Sequence, residues 1–336
     1  MQTSEACRTD FDGWLPSWPL WLVRVALVAV IAVGLHETNC SHADDIEQPN
    51  AFNQLCVLQD LRINEASGIA RSTFQQDCVW LHNDSVEANN DSGDEPRLFL
   101  VNIHSGMTKA ILRLPDERTL DCEDMCSFVC DGTAWLLIGD IGDNAKNRGF
   151  ANLGAKRPPC RLLLIEEPKI SPDTAASELI AVVHRATQFV FDDGARDCES
   201  VAVDTDRREI LLIAKSKSQP LDCGIYRIPL NLQKGASAAQ AEKLGTIDLR
   251  SATAMDISPD NTRMIVVSSS RGMIIERTAD ESWGDASQRE ARVIQLPPQK
   301  QGETVCFTED RDVVLLTSEH PQQPMWRLKL SLTSSD

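Results

Sequence analysis

Two apolar runs flank a polar turn in ESVAVDTDRREILLIAKS, Glu199 to Ser216. VAV and ILLIA are short and rich in β-branched residues. The Thr205-Asp-Arg-Arg-Glu segment between them has turn chemistry. The pattern predicts an antiparallel hairpin of two buried strands. A carboxylate, Glu199, heads the first strand. A charged group at the start of a burying strand needs a partner or a metal.

The same unit recurs along the chain. First runs start at Ser67 (SGIARS), Glu123 (EDMCSF), Glu199 (ESVAVD), Thr253 (TAMDIS) and Glu303 (ETVCFT). Second runs follow as VWLHND from Val79, WLLIGD from Trp135, ILLIAK from Ile210, MIVVSS from Met264 and VVLLTS from Val313. A third run follows each, and a fourth follows all but the last. The fifth unit is completed from the other end by CVLQDLRI, Cys56 to Ile63. Such a closing strand removes the edge that an open array would expose. The expectation is an all-β chain, a five-bladed β-propeller closed by its N-terminal strand. A six-bladed ring is the alternative. It would need a blade hidden around the extra run ELIAVVHR, Glu178 to Arg185, otherwise part of a long fourth strand or an insertion. AAQAEK, Ala238 to Lys243, reads as one helical turn.

The chain has 336 residues, 42% hydrophobic and 25% charged, with net charge −17. Such a charge disfavours nucleic acid and anionic membrane surfaces. Residues 1–43 read as a signal peptide. WLVRVALVAVIAVGL, Trp21 to Leu35, supplies a short apolar segment, and Ser41 and Ala43 a small-residue cleavage site. An uncleaved signal anchor, with membrane contact, is the alternative. A linker over 44–51, the propeller over 52–332 and a tail over 333–336 complete the organisation. The protein is expected to be exported, periplasmic or secreted. Nine cysteines follow the leader, so disulfides are expected, with one thiol left over. The C-x3-C-x3-C spacing of CEDMCSFVC does not converge on an extended strand, which argues against zinc.

In a propeller the first strands line the central channel. Ser67, Glu123, Glu199, Thr253 and Glu303 then ring one point. Three close carboxylates cannot all ionise without a cation or bound protons. An all-oxygen, flexible shell suits calcium better than magnesium. The order hydroxyl, Glu, Glu, hydroxyl, Glu resembles the calcium-activated nucleotidase (apyrase) family. That resemblance implies calcium held by these five residues, with nucleoside di- and triphosphates hydrolysed at the mouth. The substrate residues of that family have no match here. EASGIA and WLHND also look like openings of exported bacterial lactonase-like and phytase-esterase-like propellers, which implies a fold and no substrate.

The ends of the second strands carry the candidate catalytic set. Asp84, Asp140 and Asp143 are candidates for base or metal ligand, and Lys215 and Arg271 for charge stabilisers. GDIGDN, Gly139 to Asn144, aims two carboxylates from a tight turn. The following segment, Asn144 to Cys160, carries four cations and could cover the mouth as a lid, the alternative being an exposed loop. There is no G-x-S-x-G elbow, H-E-x-x-H, P-loop or dinucleotide fingerprint. Two functions follow. One is hydrolysis of a phosphate ester or anhydride on a small anionic ligand. The other is non-catalytic binding of a protein or glycan, with a structural calcium.

Overall fold

A computed structural model describes residues 51–84, 93–171, 177–216 and 223–330. The leader over 1–43 and the tail over 333–336 lie outside them. The chain begins with β1 (Ala51–Val57). A meander of β2 (Ala66–Arg71), β3 (Cys78–Asn83), β4 (Arg97–Asn102) and β5 (Thr108–Arg113) follows. Next come β6 (Cys122–Cys130), β7 (Thr133–Asp140), β8 (Cys160–Glu166), β9 (Ser177–Ile180) and β10 (Arg185–Phe191). The third meander is β11 (Cys198–Asp204), β12 (Glu209–Ala214), β13 (Cys223–Pro229) and β14 (Gly235–Ile247). The fourth is β15 (Ala254–Ile257), β16 (Arg263–Val267), β17 (Arg271–Glu276) and β18 (Arg292–Gln295). The last is β19 (Cys306–Phe307), β20 (Val313–Leu316) and β21 (Pro324–Lys329), with β1 paired on β21 as its outer strand. Among the described residues the strands thus form five four-stranded units. Their first strands touch in the order β2, β6, β11, β15, β19 and back to β2. This is a β-propeller.

The packing explains why the strands read as continuous apolar runs. In β12, Ile210, Leu212 and Ala214 pack toward β7, β8 and β10 of the preceding unit, whereas Leu211 and Ile213 pack toward β15 and β16 of the next. In β7, Trp135 and Leu137 face the third unit and Leu136 and Ile138 the first. Both faces of a strand are buried, so polar alternation disappears. Five apolar clusters fill the five seams between neighbouring units.

Several expectations change. The closing strand is AFNQLCV, upstream of CVLQDLRI. Leu58 to Ile63 is loop, with the Leu58 N–H bonded to the Gln323 carbonyl at 2.9 Å. As an outer strand, β1 needs little apolar sequence, and its Phe52 meets only Trp326, edge to face at 5.8 Å. The extra run Glu178 to Arg185 makes no sixth unit. Its first part is β9, which adds to the outer edge of β5 in parallel. AAQAEK is not helical. It lies within the thirteen-residue β14, which pairs in parallel with β10 through Ala241 and then antiparallel with β13. Units two and three are thereby joined into one eight-stranded sheet. The nine cysteines from Cys56 to Cys306 are all free thiols. Cys122 and Cys198 do not pair across units. They fill a small-residue position, equivalent to Ala66, Ala252 and Gly302, one residue before each first-run start.

Asp124, fully buried one residue past Glu123, ties the inner strands together. Its carboxylate accepts from the Met125 N–H at 2.8 Å, from Val201 of β11 at 2.9 Å and from Met255 of β15 at 3.2 Å. Asp256 repeats the device, accepting from Phe307 of β19 at 2.7 Å. Replacing Asp124 with Ala strands two buried inter-unit N–H groups. Asp124→Ala should lose about 3 kcal/mol or more in urea unfolding. A loss below about 1 kcal/mol would contradict the role of this carboxylate as the inter-strand tie.

Candidate metal centre at the channel mouth

Three first strands begin with a bulge. The ladder slips between Ala66 and Gly68, between Cys122 and Asp124, and between Cys198 and Ser200. The unpaired residues are Ser67, Glu123 and Glu199. A bulge takes its residue out of the ladder and re-aims its side chain. The register is sealed just above each bulge. The Asp84 N–H bonds to the Glu65 carbonyl, Ile141 to Asp121 and Lys215 to Asp197, at 2.7, 3.0 and 2.7 Å. In the fifth unit Glu319 bonds to Gln301 at 3.0 Å. A second level of acidic residues, Glu65, Asp121 and Asp197, therefore stands two residues before the bulges.

One oxygen each from Asp84, Asp121 and Glu123 lies within 4.8 Å of the other two. Two ligands on one calcium, each at about 2.3–2.6 Å, can be about 5 Å apart at most, so the trio fits a single calcium. Gly142 makes room for it. A Cβ there would stand 2.3 Å from Glu123 Oε1 and 2.5 Å from Asp121 Cγ. Glu199 forms an ion pair with Lys215. Glu303 accepts from Gln301 Nε2 at 3.0 Å and stands beside Glu319, whose carboxyl it raises. The two hydroxyls have other duties. Ser67 Oγ donates to the Glu123 carbonyl, and Thr253 Oγ1 donates to the Gly302 carbonyl at 3.0 Å. Both tie one unit to the next. Of the five expected ring residues, Glu123, Glu199 and Glu303 share one electrostatic neighbourhood, Ser67 and Thr253 donate to carbonyls of the next unit, and Asp84 and Asp121 stand beside Glu123.

The candidate catalytic residues are dispersed. Asp140 is fully buried. Its carboxylate accepts from the N–H groups of Leu120 and Asp121 at 3.2 and 3.1 Å, from Arg148 at 2.9 Å and from Arg161 at 3.3 Å. It holds Asp121 in place, and both of its oxygens are engaged. Asp143 caps the following turn, accepting from the Asn147 and Arg148 N–H groups at 3.0 and 2.9 Å, and donates its own N–H to Asp197 at 3.0 Å. Arg271 is not at the mouth. It lines a groove between the third and fourth units, its guanidinium 3.5 Å from the Asp248 carbonyl. The expected lid is pinned down, because buried Arg148 also donates to the carbonyls of Gly142, Pro158 and Pro159 at 3.0–3.2 Å. Asp121, Asp197 and Glu319 are additions. Asp121 and Asp197 open the twin Asp-Cys-Glu triplets, a signal present in the sequence.

The electrostatics match the geometry. Burial, then the neighbouring Glu199, Asp84 and Asp121, pushes the Glu123 carboxyl well above the usual range. Burial raises Asp121 to about 6, with Arg148 opposing and Asp197 adding. Burial raises Glu199 to about 7 against the pull of Lys215. Burial and the neighbouring Glu303 raise Glu319 to about 9. At neutral pH this cluster must bind protons or a cation.

No family model matches this chain, and no curated protein does. Among solved structures it is similar to the WD40 domain of Neurospora crassa Pan2, at 11% identity and TM-score 0.40, over 86% of this chain and 98% of that one. It is also similar to a chain of a nidogen–laminin complex, at 8% identity and TM-score 0.38, over 76% and 73%.

Two outcomes follow. Raised carboxyls mean that the folded protein binds more protons than the unfolded chain above about pH 4. Without calcium, thermal stability should fall as pH rises from 5 to 8, and added calcium should restore it mainly at pH 8. A melting temperature in chelator that climbs over this interval would contradict the clustering. Gly142→Ala should weaken calcium binding at least tenfold by calorimetry, because its methyl displaces Glu123 and Asp121.

Proposed function

We propose that this protein is an exported propeller that binds calcium at Asp84, Asp121 and Glu123 and hydrolyses a phosphate ester or anhydride beside it. The observation that carries the reading is the convergence within 4.8 Å of three carboxylates, Glu123 on its bulge, Asp121 just before β6 and Asp84 just after β3. Calcium, once bound, would supply a Lewis-acidic contact for a phosphoryl oxygen and for water. The chain's own groups do the rest. Lys215 neutralises Glu199 and offers an ammonium to developing charge. The Glu303–Glu319 pair retains a proton near neutrality, which suits a leaving oxygen. Asp140 and Asp143 act as positioning residues. The resemblance to calcium-activated nucleotidases favours calcium as the cation and carries no substrate residue over.

A second reading is a non-catalytic propeller that binds a protein or glycan, with calcium as a structural pin. It is favoured by the engagement of Asp140 and Asp143 and the distance of Arg271, which remove three of the five candidate catalytic groups. Purified protein should be assayed on nucleoside triphosphates and p-nitrophenyl phosphate, with calcium and with chelator. The first reading expects calcium-dependent turnover that drops at least 100-fold in Glu123→Gln and is unchanged in Arg271→Ala. Calcium binding without turnover of either substrate assigns the second reading. Unchanged calcium content in Glu123→Gln overturns both.

A further inference from the structure

The segment NAKNRGFANLGAKRPP, Asn144 to Pro159, serves the channel mouth chiefly through Arg148, with Arg157 acting on Asp121 at longer range. The rest of it, with β10 and the turn after β10, encloses a cavity of about 720 Å³. Small-ligand sites span about 300–1,000 Å³ and combine apolar walls with a few placed polar groups. Here Phe150, Leu153 and Val190 contribute apolar wall. Leu153 is 75% exposed at the tip of its turn, an unusual place for a leucine with no local packing role.

The lining of the cavity carries four cations, Lys146, Arg148, Lys156 and Arg196, against two carboxylates, Asp143 and Asp192. Both carboxylates are directed at backbone N–H donors, those of Asn147 and Arg148 for the first and of Lys243, at 3.1 Å, for the second. Two of its cations are also spent. Arg148 pairs with Asp140, and Arg196 pairs with Asp193 at 2.8 Å. Lys146 and Lys156 line the same cavity, are exposed, and make no ion pair among the described residues. On a chain of net charge −17 this is a local cationic site beside an apolar wall.

We infer that this cavity binds a small amphiphilic organic anion, its carboxylate or phosphate head on Lys146 and Lys156 and its apolar body against Phe150 and Leu153. The inference does not depend on the calcium centre.

The test uses the full chain and the fluorescent apolar anion 1-anilinonaphthalene-8-sulfonate. Wild type should bind it saturably at one site. Decanoate and decyl phosphate should displace it, and their relative potency identifies the head group. Decyltrimethylammonium should not displace it. The double variant Lys146→Glu/Lys156→Glu should bind at least tenfold more weakly. The control Lys234→Glu/Lys329→Glu, on exposed lysines elsewhere, should stay within twofold. Leu153→Ser, at an exposed position that spares folding, should weaken binding several-fold and covers the case of a misfolded double variant. Equal binding by wild type and Leu153→Ser, unchanged binding on charge reversal, or displacement by the cationic amphiphile would overturn the inference. Absence of saturable displacement by either decyl anion would do the same.

Discussion

Burial on both faces of every sheet is the constraint that the rest of the structure depends on. Each unit presents apolar side chains to the unit before it and to the unit after it, so none has a solvated face to rest on. The ring is the arrangement that satisfies all five seams together. Its closure rests on backbone pairing of β1 with β21, which joins residues 51–57 to 324–329. That closure brings five strand starts to one axis whatever side chains they carry. The hydrophobic seams supply the free energy that holds carboxylates closer than they would stand in water.

The axis deals with its charge in two ways. Deep in the ring, the Asp124 and Asp256 carboxyls accept from N–H donors of neighbouring strands and fasten the sheets, although burial raises both above the usual carboxylate range. At the mouth side-chain cations take over. Asp140 takes Arg148 and Arg161, and Glu199 takes Lys215. Asp84, Asp121 and Glu123 stand mutually close. The same residue chemistry is thus structural at one level and available at the next, and the difference lies in which backbone groups face it.

The repeat was legible because double burial erases alternation and leaves short apolar blocks between turns. Glu123 and Glu199 were legible by aligning those blocks. Asp121 and Asp197 sit two residues earlier in the same triplets, but a single aligned position hides that a bulge brings two levels of side chain to one mouth. β1 was placed too late because a solvent-facing outer strand tolerates FNQ. β14 looked helical because Ala, Gln and Glu favour helix, and the parallel contact with β10 overrides that preference. Asp140 and Asp143 looked free because their partner, Arg148, is brought in by a turn whose shape no local pattern encodes.

The β10–β14 seam gives the ring an uneven mechanical character. Three junctions are held by side chains and isolated backbone or hydroxyl ties, the first and second units also share the four-pair ladder of β9 on β5, and this seam is a continuous ladder over seven residue pairs, Arg185–Gly235 to Phe191–Ala241. Sliding or rotation at those three junctions shears side-chain contacts. At this one it would break a row of amide hydrogen bonds at once. Units two and three, which carry Glu123, Asp121, Glu199 and Lys215, are thereby the most firmly joined pair, a plate that Asp84 meets from the first unit, joined to it by the shorter β9 ladder. Breathing of the ring would change the mouth chiefly along the line between Asp84 and that plate.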